Sequence, residues 1–103
     1  MDRVEFALRN LHGKILDVGY SVGGIHQKFL ERFGKGKIYG VDIETKKDSA
    51  HYKKSTAEKI PFRAGFFDSL FAGELIEHVK SPQKFLAEAA RVLKPGGRLL
   101  LTD

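Results

Sequence analysis

The sequence predicts one α/β domain built on a parallel β-sheet. Short apolar segments with the composition of buried strands alternate with segments whose apolar residues recur at helical spacing. Such alternation is typical of parallel sheets, in which helices connect neighbouring strands. A chain of 103 residues can bury one small hydrophobic core, so we predict a single domain over residues 1–103.

The first half of the chain predicts a short amphipathic helix followed by a strand–helix–strand unit. The first helix presents Val4, Leu8 and Leu11 on one face, and Gly13 ends it. We expect a right-handed crossover in the unit that follows. The predicted elements are a helix over residues 2–11, a strand over 14–19, a helix over 25–33 and a strand over 37–42.

The second half begins with a polar segment, residues 43–59, for which we predict no helix and at most a weak edge strand over 51–55. A strand over 66–73 follows, and Ser81 and Pro82 are the residue types that favour the cap and the first position of a helix. The apolar face predicted for this helix consists of Phe85, Leu86, Ala89, Val92 and Leu93. The last predicted elements are a helix end at residues 94–97 and a strand over 98–102.

Composition favours a soluble cytoplasmic protein. The chain has no cysteine, no apolar run that could span a membrane and no apolar signal segment at its N-terminus. The net charge is +5, and lysines are concentrated between residues 35 and 59, a distribution that would suit RNA or an acidic lipid. Because aromatic residues do not interleave with these lysines, a solvated surface is favoured over nucleic-acid binding.

The stretch Ile15–Gly24 predicts the site around which the domain is organised. Apolar residues lead into Asp17, and a glycine-containing turn then leads into the second helix. A turn of this kind admits a nucleotide-like ligand to the N-terminus of the helix. Asp42 and Glu74 follow later strands, so we expect them at the same edge of the parallel sheet, where ligands bind.

An ordered set of short motifs carries a resemblance to a known family. The motifs are Ile15-Leu16-Asp17-Val18-Gly19, Gly40-Val41-Asp42, AEKIPF at residues 57–62, Phe67-Asp68, Glu77-His78-Val79 and RVLKPGG at residues 91–97. Residues 15–103 resemble the class I S-adenosylmethionine-dependent methyltransferases, in particular the branch that acts on small molecules. The resemblance implies a Rossmann-like, doubly wound parallel sheet of about five strands in the order 3-2-1-4-5, with helices on both faces.

The resemblance also implies a site for S-adenosylmethionine and its product S-adenosylhomocysteine. Asp17 would orient the amino group of the methionine part, and Asp42 would accept hydrogen bonds from the two ribose hydroxyls. Gly19 and Gly23 would let the backbone approach the ligand. The remaining implied contacts are Tyr20 and Ser21 in the turn, Ile43, Thr56, Ala57 and Glu58 near the adenine, and Glu74 and Leu75 at the sulfonium end. Thr56 stands where the family usually has an acid.

Three features depart from the family pattern. Ser21 replaces the middle glycine of the turn, so that a Cβ and a hydroxyl lie where bare backbone is usual. The segment after Asp42 is too short and polar for the helix that the family places there. The family's further helix and antiparallel strand pair are absent, so we expect a chain truncated after the fifth strand. The strand Arg98–Thr102 would then be an open, leucine-rich edge, which predicts a homodimer or a partner chain.

The sequence does not assign a catalytic residue, and no metal site is expected. His78 is a candidate general base, although its Glu-His-Val element more often has a structural role. His12, His26 and His51 lack the spacing of metal ligands.

The predicted function is methyl transfer to oxygen or nitrogen of a small-molecule acceptor, or the cofactor-binding core of an enzyme of that kind. The first alternative is an inactive methyltransferase-like module that binds a partner chain. The second is a nicotinamide-dependent oxidoreductase, because residues 19–24 half-fit the dinucleotide pattern. The motif that follows the fourth strand in methylases of exocyclic amino groups in DNA does not occur at residues 72–75, which disfavours that substrate.

Overall fold

The computed structural model describes residues 1–102, so Asp103 lies outside the described residues. The elements are α1 (Arg3–Asn10), β1 (Ile15–Val18), α2 (Ile25–Phe33), β2 (Ile38–Asp42), β3 (Tyr52–Lys54), β4 (Phe67–Gly73), a 3₁₀ turn (Ile76–His78), α3 (Pro82–Val92) and β5 (Leu93–Thr102). The strands form one sheet in the order β3-β2-β1-β4-β5, and all neighbours pair in parallel. The predicted fold class and strand order are confirmed.

Two of the helices begin at the side-chain caps that their sequences favour. The carboxylate of Asp2 accepts a hydrogen bond of 2.8 Å from the backbone N–H of Glu5, which satisfies a free donor in the first turn of α1. Ser81 caps α3 by accepting from Lys84 N at 3.3 Å, and Pro82 occupies the first turn, where it displaces no hydrogen bond.

Helices cover both faces of the sheet, and each face has its own buried cluster. On one face, Phe85, Ala89 and Val92 of α3 pack against strand residues that include Leu16, Val41 and Leu70. On the other face, Ala7 and Leu11 at α1 and Phe29 of α2 pack with Ile15, Ile38, Phe71 and Leu100. The central strands β1 and β2 are buried along their whole length, as expected for a parallel sheet covered on both sides.

The segment between β2 and β3 contains no helix, as predicted, and β3 is a short edge strand within the predicted range 51–55. Two predicted details are wrong. Leu86 is 43% exposed, because the buried stripe of α3 passes through Phe85 and the next residue points about 100° away from it. The last strand begins at Leu93 rather than Arg98, because Leu93 already pairs with Phe67 before an irregularity in the register.

The histidine of the edge segment has a packing role. The ring of His51 stacks on Tyr39 with a centroid distance of 4.0 Å, and its Nδ1 atom is hydrogen-bonded to the carbonyl of Ile38 at 2.8 Å. Across residues 1–102, no group of three or more His, Cys, Asp or Glu side chains is arranged to hold a metal ion. Over the same residues, none of the helices has the length and apolar character needed to cross a bilayer.

The rings of Tyr20 and Tyr52 pack closely against Gly40 of β2, so a substitution at Gly40 tests this packing. A Cβ at Gly40 would lie 2.6 Å from Tyr20 Cδ1 and 2.8 Å from Tyr52 Cδ1. We therefore expect Gly40→Ala to lower the free energy of unfolding by about 1–3 kcal/mol, measured by urea denaturation. Gly36→Ala is the matched control, because a Cβ there meets no atom within 4 Å. Equal stabilities of the two variants would contradict the packing described.

Candidate functional site

The carboxyl ends of the central strands open into a cleft of about 720 Å³. This volume lies in the range of small-molecule sites, roughly 300–1,000 Å³. The residues that line the cleft are Val18, Gly19, Ser21, Val22, Val41, Asp42, Ile43, Glu44, Ser55, Thr56, Ala57, Glu58, Gly73, Glu74, Leu75, Glu77, His78, Val79 and Lys80. The cleft therefore occupies the edge of the sheet at which a ligand was predicted.

The turn after β1 forms one wall of the cleft with little side-chain bulk. The N–H of Gly19 donates to the carbonyl of Val41 at 2.8 Å, which fastens the turn to β2. Gly19 has a φ of +77°, and a Cβ there would lie 3.4 Å from Leu75 Cδ1, which also lines the cleft. Gly24, with a φ of +73°, precedes α2 and offers no side chain to cap the helix. Gly24 therefore supplies no side-chain acceptor for the free N–H groups in the first turn of α2.

Asp42 ends β2 and connects the turns of two strands. Its Oδ2 atom accepts hydrogen bonds from the backbone N–H of Ser21 at 3.0 Å and from the hydroxyl of Ser21 at 2.7 Å. Its Oδ1 atom accepts from the backbone N–H of Glu44 at 2.8 Å. The carboxylate is largely buried but lies on the wall of the cleft, so its orientation is fixed before any ligand arrives.

Asp17 is held from the opposite side by a histidine of α2. The carboxylate is 1% exposed, and its Oδ2 atom lies 2.8 Å from His26 Nδ1. The other ring nitrogen of His26 lies 2.7 Å from the hydroxyl of Tyr52 on β3. Burial raises the pKa of Asp17 above its ordinary value, whereas the hydrogen bond and the charge of His26 act in the opposite direction.

A smaller cavity of about 90 Å³ adjoins the glycine turn, and it is lined by charges of both signs. Asp17 and Glu74 contribute carboxylates, while Arg3 and Lys28 contribute cations. Arg3 Nη2 lies 3.3 Å from Glu74 Oε1. The backbone of Glu74 has a φ of +53°, a left-handed conformation that residues other than glycine seldom adopt. Glu74 lines both the small cavity and the main cleft.

Apolar and polar side chains together line the part of the cleft beside Asp42. Ile43 is 59% exposed and presents its side chain beside Asp42. Thr56 and Glu58 border the same part of the cleft, with the buried Ala57 between them. This combination of apolar surface and a few polar atoms is typical of small-molecule sites.

The structure brings almost all of the predicted site residues to these two adjoining cavities. Asp17 and Gly23 line the small cavity, Gly19 and Glu74 line both, and the others line the main cleft. Tyr20 is the exception. Its hydroxyl lies 3.0 Å from Thr45 Oγ1, and its ring packs at centroid distances of 5.0 Å from both His26 and Tyr52, beneath the turn.

His78 lies in the 3₁₀ turn at the rim of the cleft. Its side chain is 74% exposed, and Nε2 lies 3.6 Å from Glu77 Oε1. An exposed imidazole beside an exposed carboxylate is not held in one orientation, so the geometry does not assign it a catalytic role.

Sequence reasoning missed His26 and Tyr52, the two side chains that hold Asp17. His26 falls three residues before Phe29 and four before Leu30, on the buried stripe of α2, and that spacing was the available signal. Tyr52 left no such signal, because its contact with His26 depends on the pairing of β3 with β2.

Comparison with known proteins identifies the family. The sequence profile described as "Methyltransferase domain" matches residues 16–101 of this chain. The chain belongs to the methyltransferase family. The prediction of this family is confirmed.

Curated relatives of this methyltransferase chain are longer proteins. It is 34% identical over 104 residues to the ubiquinone/menaquinone biosynthesis C-methyltransferase UbiE of Ruegeria sp., and the match covers 87% of this chain and 42% of that protein. It is 35% identical over 100 residues to the UbiE protein of Rhizobium etli, with 97% and 34% covered. The chain therefore spans less than half the length of these relatives.

Solved structures agree with the methyltransferase fold. The YcgJ protein of Bacillus subtilis is 25% identical with a TM-score of 0.77, and the match covers 95% of this chain and 48% of that one. An S-adenosylmethionine-dependent methyltransferase from Aquifex aeolicus is 26% identical with a TM-score of 0.71, with 90% and 59% covered.

The raised pKa of Asp17 gives a pH-dependent prediction for Asp17→Asn. The asparagine keeps an acceptor for His26 but removes the buried charge, whose ionised form opposes folding. A raised carboxyl pKa means that the folded protein binds the proton more tightly, so wild-type stability rises relative to the variant as pH falls through that pKa towards 3.8. We expect the variant to be the more stable protein at pH 7 and to lose this advantage near pH 4, measured by urea denaturation.

Comparing the two proteins at each pH cancels the contributions of other groups. Asp68 and Glu88, whose pKa values are lowered by hydrogen bonds to Lys14 and Arg91 respectively, destabilise both proteins equally in acid. A wild-type protein that is more stable than Asp17→Asn at pH 7, by a margin that grows with pH, would contradict the account of Asp17.

Proposed function

We propose that this chain binds S-adenosylmethionine across the two cavities and forms the cofactor-binding part of a methyltransferase that acts on a small organic acceptor. The observation that carries the proposal is the orientation of Asp42. Its carboxylate lies on the wall of a cleft of suitable volume and is fixed there by hydrogen bonds to the glycine-containing turn and to Glu44. Carboxylate oxygens at that place suit the hydroxyls of a ribose.

The remaining parts of the cofactor fit the neighbouring surfaces. The adenine would lie against Ile43, with Thr56 and Glu58 at its edge. The amino and carboxylate groups of the methionine part would enter the small cavity, where Asp17 supplies a negative charge and Lys28 a positive one. The sulfonium end would then lie near Glu74 and Leu75, where the cavities meet.

The chemistry that the cofactor supplies is an activated methyl group. An acceptor nucleophile would take this methyl group from the sulfur, and S-adenosylhomocysteine would be the second product. The residues of this chain contribute alignment, which alone can lower the barrier by several kcal/mol, up to roughly 7–11 in favourable cases. The proton that the acceptor loses would go to water.

The proposed acceptor atom is oxygen, nitrogen or carbon. The sequence predicted oxygen or nitrogen, whereas the names of the curated relatives describe methylation at carbon. We therefore include carbon among the proposed acceptor atoms. The intracellular location predicted from composition remains a prediction.

Binding of S-adenosylhomocysteine, measured by isothermal titration calorimetry, tests the proposal. Asp42→Asn should weaken binding about tenfold or more, because a hydrogen bond to a charged acceptor contributes roughly 1.5–3 kcal/mol. Asp48→Asn is the matched control, because Asp48 also accepts a backbone hydrogen bond, from Lys54 N at 2.8 Å, but lies outside the cleft.

The outcomes separate this proposal from its rivals. Undetectable binding at millimolar ligand, or equal affinity in both variants, would contradict it. A thermal shift with NAD in place of S-adenosylhomocysteine would favour an oxidoreductase. Binding of S-adenosylmethionine without release of S-adenosylhomocysteine across a panel of oxygen, nitrogen and carbon acceptors would favour the inactive binding module.

The association predicted through the edge strand is a separate part of the proposal. β5 is an edge of the described sheet, and Leu101 on it is 42% exposed. We expect light scattering at tens of micromolar protein to give twice the mass of one chain, and Leu101→Lys to reduce it to that of one chain, since a charge on an edge strand opposes pairing. A single-chain mass for the wild-type protein would contradict the association.

A further inference from the structure

Ser21 has a contact that its place in the turn does not require. Its hydroxyl donates to Asp42 Oδ2 at 2.7 Å, and its own backbone N–H donates to the same oxygen at 3.0 Å. The side chain is otherwise exposed and lines the cleft. The serine hydroxyl therefore stands at the mouth of the site, on the carboxylate that would recognise the cofactor.

The Asp42 carboxylate has too few free lone pairs to accept from both ribose hydroxyls while it also accepts from the Ser21 hydroxyl. A carboxylate oxygen has two lone pairs. Both lone pairs of Asp42 Oδ2 are used, by the N–H and the hydroxyl of Ser21, whereas Oδ1 accepts from Glu44 N and has one left. A ribose presents two neighbouring hydroxyls, so recognition of both by Asp42 requires the Ser21 hydroxyl to leave Oδ2.

We propose that the Ser21 hydroxyl acts as an internal competitor for the ribose and thereby sets the affinity of the site. The inference rests on the proposed function, because it takes the ribose of S-adenosylmethionine as the ligand group that replaces the hydroxyl. In the free protein the hydroxyl satisfies Oδ2, and on binding it rotates into the solvent. The exchange replaces one hydrogen bond by another, so part of the binding energy of the ribose is lost.

The backbone contacts explain why removal of the hydroxyl strengthens binding instead of disordering the site. Without it, Asp42 still accepts from the N–H of Ser21 and from the N–H of Glu44, one on each oxygen. These two bonds keep the carboxylate oriented. The freed lone pair on Oδ2 is then available to the ribose without competition.

The test compares four proteins and two ligands by isothermal titration calorimetry. The proteins are the wild type, Ser21→Ala and Ser21→Gly, which lack the hydroxyl, and Ser21→Thr, which retains it. The ligands are S-adenosylhomocysteine and an analogue of it whose ribose lacks both hydroxyls. Thermal unfolding establishes that each variant is folded.

We expect Ser21→Ala and Ser21→Gly to bind S-adenosylhomocysteine about three- to tenfold more tightly than the wild type, the range that one net hydrogen bond gives. Ser21→Thr should keep the wild-type affinity, and all four proteins should bind the analogue equally. Equal or weaker binding of S-adenosylhomocysteine by the alanine and glycine variants would overturn the inference and leave the proposed function standing. A gain of the same size for both ligands would also overturn it, because a competitor for the ribose acts only on a ligand that has the hydroxyls. Absence of binding in all four proteins would overturn the proposed function and this inference together.

Discussion

The parallel pairing of β1 with β2 and with β4 is the constraint on which the rest of the structure depends. In this register Val18 lies beside Val41 on one side and Ala72 on the other. The next residue along each strand is Gly19, Asp42 or Gly73, so a carboxylate and two glycines arrive together at one edge of the sheet. A slip of either pairing would separate these three positions, because neighbouring side chains along a strand point to opposite faces.

The two acidic residues at this edge have different environments and correspondingly different tasks. Asp42 accepts three hydrogen bonds from neighbouring turns and faces the cleft. Asp17 is buried and is held by His26, and burial raises its pKa, so its ionised form is less favoured in the folded protein than in water. A residue that opposes folding and lines a cavity is typical of functional sites, and the left-handed backbone at Glu74 belongs to the same pattern.

Much of the fold could be predicted because it depends on local signals. The cap at Ser81 and the apolar strands are visible in short windows of sequence. The strand order came from the family resemblance and not from periodicity. The burial of Leu86 was predicted wrongly, because its apolar character alone does not show that it lies outside the buried stripe of α3.

The site was predictable as a set of positions but not as a network of contacts. Asp17 and Asp42 follow apolar strands, and this is a local pattern. The bond from His26 to Asp17 spans nine positions and crosses from a helix to a strand, and the bond from Ser21 to Asp42 spans 21. Ser21 was predicted as an intrusion into the turn, and only the folded chain shows that its hydroxyl has a partner.

The most direct test of the account is to record amide NMR spectra of the protein during titration with S-adenosylhomocysteine. The account predicts that the shifted amides are those of residues 19–23, 42–44, 56–58 and 73–75, whereas shifts confined to the lysine-rich edge around β3, or none at millimolar ligand, would contradict it.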